Sequence, residues 1–548
     1  MIRKSIINLL FLPFLLICLN SNAQLKFVVE DFEGFADGGS DLKANGVFTY
    51  GNIKANIDYQ QNAQQTYSGE RFLRLYKDGK SDFGGWGKGT SINIELDVNK
   101  DYLNFYVYQP TGNASDSIKI ELQEDDNSNN IYDKDSDDSW TYYQKLGNKN
   151  LWELISIPLN KFKDSNKGGD GIFNVNYKQG KLLCFIINFA DFKQNKPNQT
   201  WSFDFICFSQ GKLPVSPGLW DAPYASAEDH CSLGIWSKEG NAGNFIDIAS
   251  GFENELKYGS EKKLGIVHFF QPFSVDGKNH TKHYPSVERI NKVIQEGYIP
   301  MITLEDHFVN ADPKVKQPNL YSIVEGHFDI FFADWAKQIK QVKGIVMLRI
   351  LHEFNGDWYP WCIVNNDKNP QLLIKAFQRI HTVFKAQQVT NVKFIWCPNS
   401  MSFPQEKWNF IMDAYPGDAY VDFVGLDIYN GAGKEESVWR SFRKEGIENY
   451  FILTQRLPTK PLLICEAASR ERRLSEPKSA QDKAAWIKQM SIALSTDMSK
   501  VRLLTWFNEK ETFKINSSLG SQGAYLDFIL KNDYFKSGSK HMLPLLAP

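Results

Sequence analysis

Between residues 25 and 210 the chain alternates apolar and polar positions in short runs with a period of two. Residues 102–108, 117–122 and 201–206 show this best, and clusters such as Asp126-Asn127-Ser128-Asn129-Asn130 separate the runs. Successive side chains of a strand point to opposite faces, so the pattern predicts an all-β antiparallel sandwich without helices. A Pro/Gly-rich joint follows, Gly211-Lys212-Leu213-Pro214-Val215-Ser216-Pro217-Gly218. Beyond it, near-continuous apolar runs alternate with helical stripes. Strands are predicted at 233–236, 264–269, 298–304, 345–351, 392–397, 421–429, 461–466 and 502–507. One helix carries Val287, Ile290, Val293 and Ile294 on a single face; it opens after Pro285-Ser286 and stops at Gly297. Another aligns Leu373, Phe377, Ile380 and Phe384.

Eight apolar strands alternating with helices predict a parallel (β/α)8 TIM barrel, here behind a β-sandwich of jelly-roll type. A doubly wound open sheet is the alternative, but the even spacing favours closure. No glycine-rich phosphate loop follows any strand, which leaves nucleotide binding without support.

A chain of 548 residues suits two domains. Its formal net charge of −2 gives no general basic field, so nucleic acid is not an expected partner. Aromatic residues make up 14% of the chain, which fits either sugar-stacking surfaces or a rich β-core. Arg3 and Lys4, the apolar run 6–19 and Ser21-Asn22-Ala23 form a secretory signal pattern, with cleavage after Ala23. Lipidation at Cys18, giving a surface lipoprotein, is the alternative; the bulky Ile17 before it fits that poorly. No later stretch approaches the ~20 apolar residues of a membrane span. The boundaries read as signal peptide 1–23, sandwich 24–212, linker 213–229 and barrel 230–548, in a secreted or periplasmic monomer. Cys184, Cys207, Cys231, Cys362, Cys397 and Cys465 lack zinc-site spacing and read as buried thiols, with a Cys184–Cys207 disulfide left open.

Catalysis in a barrel occupies the C-terminal strand ends. Glu353 follows the fourth predicted strand and Glu466 closes the seventh. A carboxylate there is costly unless it has a partner or a purpose. Either alone could pair with Arg349 or Arg470 as rim structure. Both together, across the barrel mouth, suggest the two carboxylates of glycoside hydrolysis, retaining when about 5–5.5 Å apart and inverting when wider.

The segment Arg349-Ile350-Leu351-His352-Glu353-Phe354-Asn355-Gly356-Asp357-Trp358-Tyr359-Pro360-Trp361 closely resembles the acid/base motif of glycoside hydrolase family 26. Support comes from Pro300-Met301-Ile302-Thr303-Leu304-Glu305, from Val424-Gly425-Leu426-Asp427-Ile428-Tyr429-Asn430 and from the Glu466 strand. The resemblance implies Glu353 as acid/base, Glu466 as nucleophile and His352 as a hydrogen-bonding group in the reacting-sugar site. It implies Tyr429 as the hydroxyl that steadies the nucleophile, and Trp358 and Trp506 as aromatic walls. His307 is a further cleft candidate, and Trp396 and Asn399 are cleft residues without an assigned role. Phe354, Cys362 and Ala467-Ala468 depart from the family's usual residues near the sugar sites. The implied activity is endo-hydrolysis of a plant-type polysaccharide, β-1,4-mannan or glucomannan, by a β-mannanase that needs no catalytic cofactor. A β-1,3-1,4-glucanase, a β-1,3-xylanase and a non-catalytic polysaccharide-binding protein are the alternatives.

Val28-Val29-Glu30-Asp31-Phe32-Glu33-Gly34 and the closing strand with Asp204 resemble carbohydrate-binding modules of family 11. That resemblance implies a structural calcium ion at Glu33 and Asp204. The acidic run 124–138 reads first as a solvated loop and second as a calcium site. Trp86, Trp140 and Tyr142 are either a sugar-stacking face or sandwich core, and a purely structural spacer domain remains an alternative.

Overall fold

The computed structural model describes residues 23–59, 69, 71–77, 83–92, 94–111, 113, 117–147, 150–190, 199–213, 230–237, 262–274, 284, 286–308, 318–431, 439–471 and 482–547. All but Ala23 of the expected signal peptide, with Cys18, and most of the expected linker lie outside these residues.

The first region is a sandwich of two antiparallel sheets. One runs Ile53–Tyr59, Arg71–Lys77, Thr200–Gln210, Asp101–Tyr108, Trp152–Pro158, with Gln24–Glu30 also pairing Thr200–Gln210. The other runs Lys163–Asp164, Ser139–Lys145, Ser117–Asp125, Lys181–Ala190, Gly84–Ile92, Val47–Gly51. The inward side chains of the alternating runs meet between the sheets. Trp86 is fully buried there, 5.6 Å from the Phe185 ring and 5.3 Å from Phe203. Trp140 is buried too, so these rings belong to the core and not to a sugar-stacking face. Cys184 and Cys207 sit on different sheets, and both are free and buried.

The second region is the closed parallel barrel. Its strands in order are Cys231–Trp236, Ile266–Ser274, Ile299–Phe308, Val346–Ile350, Val392–Trp396, Phe423–Asn430, Leu462–Ser469 and Val501–Phe507. The first pairs with both the second and the eighth, which closes the ring. The helix Val287–Gln295 starts where Ser286 accepts the Arg289 amide, and Gly297 beyond its end takes φ +92, open to glycine at no steric cost. In Pro370–Ala386 the Leu373, Phe377, Ile380 and Phe384 stripe is buried against the barrel.

One buried apolar cluster spans the two regions. Leu25, Val28, Phe205 and Cys207 of the sandwich belong to the same buried cluster as the barrel helices. Tyr177 stacks on Phe410 at 4.0 Å and donates to Glu448 at 2.9 Å. Ser441 donates to Asp31 at 2.5 Å, and Lys444 meets Glu30 at 2.8 Å. A Cβ on Gly34 would lie 2.3 Å from the Trp439 carbonyl oxygen, so glycine lets the two backbones approach. The sandwich thus packs against the barrel through apolar, hydrogen-bonded and charged contacts.

Candidate active site

The fourth barrel strand brings Arg349 into the barrel interior, where it is fully buried. Its Nη1 donates to both oxygens of Asp427, at 2.7 and 2.6 Å, and Nη2 donates to Glu466 Oε1. Nε donates to Thr303 at 2.7 Å, and the guanidinium lies 5.6 Å from the centre of the Phe270 ring. Strands three, four, six and seven are thereby tied by one side chain.

The strand ends abruptly after Ile350. Leu351 and Glu353 both adopt left-handed backbone, φ 49 and 51, a conformation that costs a non-glycine residue about 1–3 kcal/mol and recurs at functional sites. The Glu353 amide donates to the Cys397 carbonyl at 2.8 Å, which pins this turn to strand five. Glu353 Oε1 accepts from Asn399 at 2.8 Å and Oε2 from Trp358 Nε1 at 2.7 Å. Asn399 is itself held by exchange with Asn355, its amide donating at 2.8 Å and its carbonyl accepting at 3.0 Å. Burial first, then the charge of Glu466, pushes the Glu353 carboxyl up to about 7.

Glu466 is held on its second oxygen by the Tyr429 hydroxyl, which donates to Oε2. Burial and the Glu466 charge push the Tyr429 phenol well above its ordinary range, so it stays a donor. Both glutamates are nearly enclosed, Glu353 at 7% exposed and Glu466 at 5%. One carboxyl is thus poised to carry a proton near neutral pH, while the other is fixed as an acceptor between a guanidinium and a phenol. A third carboxyl joins them: Glu305 of strand three is raised to about 7, by burial and then by Glu466.

The remaining candidates divide. Trp358 is 46% exposed beside Glu353, to which its indole nitrogen donates. His352 is buried behind the acid turn, its Nε2 3.1 Å from the Tyr359 hydroxyl and its carbonyl accepting from Trp361. Trp506 departs from expectation: it is fully buried on the outer face of its strand, against Trp486 and Tyr525. Its neighbour Phe507 faces the mouth instead, 5.6 Å from the Tyr429 ring and stacked at 4.1 Å on Trp236. Trp396 is core. His307 lies in strand three, and its side chain falls outside the described residues.

Sequence reasoning offered Arg349 only as a rim partner for one glutamate, which its bond to Glu466 matches, and left Asp427 and Asn399 without a role. Arg349 and Asp427 carried a usable signal, because opposite charges inside adjoining apolar strands must pair.

Glu33 and Asp204, the pair expected to hold calcium, are both buried. Both Glu33 oxygens are engaged, by the Arg71 amide at 2.8 Å and Gln489 of the barrel at 3.1 Å. Among the described residues, neither belongs to a cluster of three ligating atoms. Burial and then the Asp31 charge push the Glu33 carboxyl well up, with Asp204 adding to the effect.

Residues 295–448, which include Arg349, Glu353, Asn399, Asp427 and Tyr429, match the sequence model of Glycosyl hydrolase family 26. Endoglucanase H of Acetivibrio thermocellus is 32% identical over 274 residues, 49% of this chain and 28% of that protein. A mannan endo-1,4-beta-mannosidase of Bacillus subtilis is 28% identical over 102 residues, 18% of this chain and 27% of that protein. The chain therefore spans about a quarter of the length of these curated relatives, 28% and 27%. The crystal structure of the Podospora anserina GH26-CBM35 beta-(1,4)-mannanase aligns with 92% of this chain and 100% of its own, at 12% identity and a TM-score of 0.42. The match to residues 295–448, and the site those residues build, make this part of the chain similar to glycosyl hydrolase family 26.

Proposed function

We propose that this chain is an exported retaining endo-β-glycosidase that cuts β-1,4-mannan or glucomannan. Glu353 protonates the leaving glycosidic oxygen while Glu466 attacks the anomeric carbon, forming a glycosyl-enzyme. Glu353, now ionised, takes a proton from water, which attacks the same carbon and releases the sugar with its configuration retained. Arg349 and Tyr429 disperse the charge of Glu466 before attack and accept its return afterwards.

The observation that carries this reading is the unequal treatment of the two carboxyls. Glu353 sits between neutral donors, Asn399 and Trp358, at a carboxyl raised to about 7, whereas Glu466 is tied to a guanidinium. Environments that separate two carboxyls in this way assign one as acid and the other as nucleophile.

The relative named a mannan endo-1,4-beta-mannosidase supports mannan. A second reading, β-1,3-1,4-glucan, is favoured by the longer match to a protein named an endoglucanase. Reducing-end release from glucomannan, mixed-linkage glucan and β-1,3-xylan separates these. Release from glucomannan that is lost in both Glu353→Ala and Glu466→Ala supports the first reading, and release from mixed-linkage glucan alone replaces it with the second. No release from any polymer removes both.

A further inference from the structure

The tip of the acidic run 124–138 is exposed, as a solvated loop requires, but its two ends are not. Glu124, Asp125, Asp137 and Asp138 are all fully buried. Two of them tie the loop to itself: Asp125 accepts the Asn129 and Asn130 amides, each at 3.1 Å, and Asp137 accepts those of Asp126 and Asp133, at 3.1 and 2.7 Å. The others converge. One carboxylate oxygen from each of Glu124, Asp126 and Asp138 lies within 4.8 Å of the other two.

Their existing bonds leave oxygens over. Glu124 accepts from the Asn174 amide at 2.8 Å and Trp140 Nε1 at 3.0 Å. Asp126 Oδ2 accepts the Asp138 amide at 2.7 Å, and Asp138 Oδ2 the Gly171 amide at 2.9 Å. Asp126 Oδ1, Asp138 Oδ1 and Asn174 Oδ1 are buried without a hydrogen-bond partner. Two glycines keep the space above these atoms bare. A Cβ on Gly169, at φ +71, would lie 2.1 Å from Asp138 Oδ1, and one on Gly180 would lie 2.6 Å from Glu124 Oε1 and 2.9 Å from Asn174 Oδ1.

We propose that Glu124, Asp126 and Asp138, with the Asn174 side-chain oxygen beside them, hold a calcium ion. The donors are all oxygen, which selects a hard cation, and an irregular cage of carboxylate and amide oxygens suits calcium better than octahedral magnesium. The ion supplies the positive charge that these buried carboxylates lack. It also stiffens the loop through which the sandwich touches the barrel. Ser128 of that loop accepts from Lys407 at 2.8 Å, and Asn409 in the same barrel turn donates to the Asn355 carbonyl at 2.8 Å.

The test uses the full mature chain stripped with EGTA and titrated calorimetrically with calcium chloride, alongside terbium luminescence sensitised through Trp140. The expected result is one calcium ion per chain, a higher Tm with calcium than without it, and binding at least about tenfold weaker in Asp126→Asn. Asp126 is partly exposed, so this variant should fold; circular dichroism checks it. Glu33→Gln should bind as wild type does. Absence of binding at millimolar calcium, undiminished binding in folded Asp126→Asn, or loss in folded Glu33→Gln would each overturn the proposal.

Discussion

Arg349 grips Asp427 through both carboxylate oxygens, at 2.7 and 2.6 Å, in a fully buried pair whose far edge reaches Glu466. The pairing gives Asp427 a role at a distance from substrate. It orients the guanidinium and offsets its charge, so that Glu466 is steadied without being fully neutralised.

Asp427→Asn should therefore damage both folding and turnover. Breaking a buried ion pair from one side costs about 3–5 kcal/mol, because the other charge stays buried. We expect a lower Tm, and a kcat reduced on the order of a hundredfold with KM nearly unchanged. Thermal unfolding and initial rates on the same preparation measure both. A folded variant with wild-type kcat would remove Asp427 from the positioning chain.

The pH profile follows from Glu353. Its carboxyl is raised from an ordinary 4.5 to about 7, by burial first and Glu466 second, so it keeps its proton across the mildly acidic range. As general acid it should give kcat/KM a basic limb near pH 7. The Asn399 and Trp358 hydrogen bonds favour the ionised form, so Asn399→Ala should move that limb upward while lowering kcat. For stability the sign is opposite to that of a salt-bridged carboxylate. The folded chain holds this proton more tightly than the unfolded chain does, so its contribution declines as pH rises from about 4.5 through 7. Glu353→Gln should flatten that decline, as read from Tm against pH.

Tyr429→Phe removes one hydroxyl from Glu466 and little else. The loss of a donor to a charged, reacting carboxylate should cost about 10–100-fold in kcat, with Tm almost unaltered. A fall in Tm with kcat preserved would make the tyrosine structural.

The eighth strand offers two adjacent aromatics with opposite consequences. Trp506→Ala should destabilise the barrel by about 3–5 kcal/mol while leaving the KM of the folded fraction alone. Phe507→Ala should raise KM with a smaller loss of stability. The reverse outcome would put Trp506 at the mouth.

This pair also marks where sequence legibility ends. Strands alternate faces, so only one of Trp506 and Phe507 can point inward, and a one-residue error of register exchanges them. Two neighbouring aromatics give hydrophobic patterning nothing to choose by. The eight strands were readable because each is a bounded apolar run, and Glu353 and Glu466 because a carboxyl closing such a run needs a reason. Asn399 was harder, since its role depends on a loop folding back through Asn355. The run 124–138 was legible only at its exposed tip: aspartate and asparagine are usually solvated, and only the turn of the hairpin buries Asp125 and Asp137 against amides of the loop.

The measurement closest to the central claim is the anomeric configuration of the first product. Proton NMR would follow the wild-type chain acting on a manno-oligosaccharide, or on a mixed-linkage gluco-oligosaccharide if that is the better substrate. Double displacement by Glu466 and Glu353 predicts that the β-anomer appears first and the α-anomer only later, by mutarotation. An α-anomer at the earliest times would mean inversion, and would contradict Glu466 as a nucleophile.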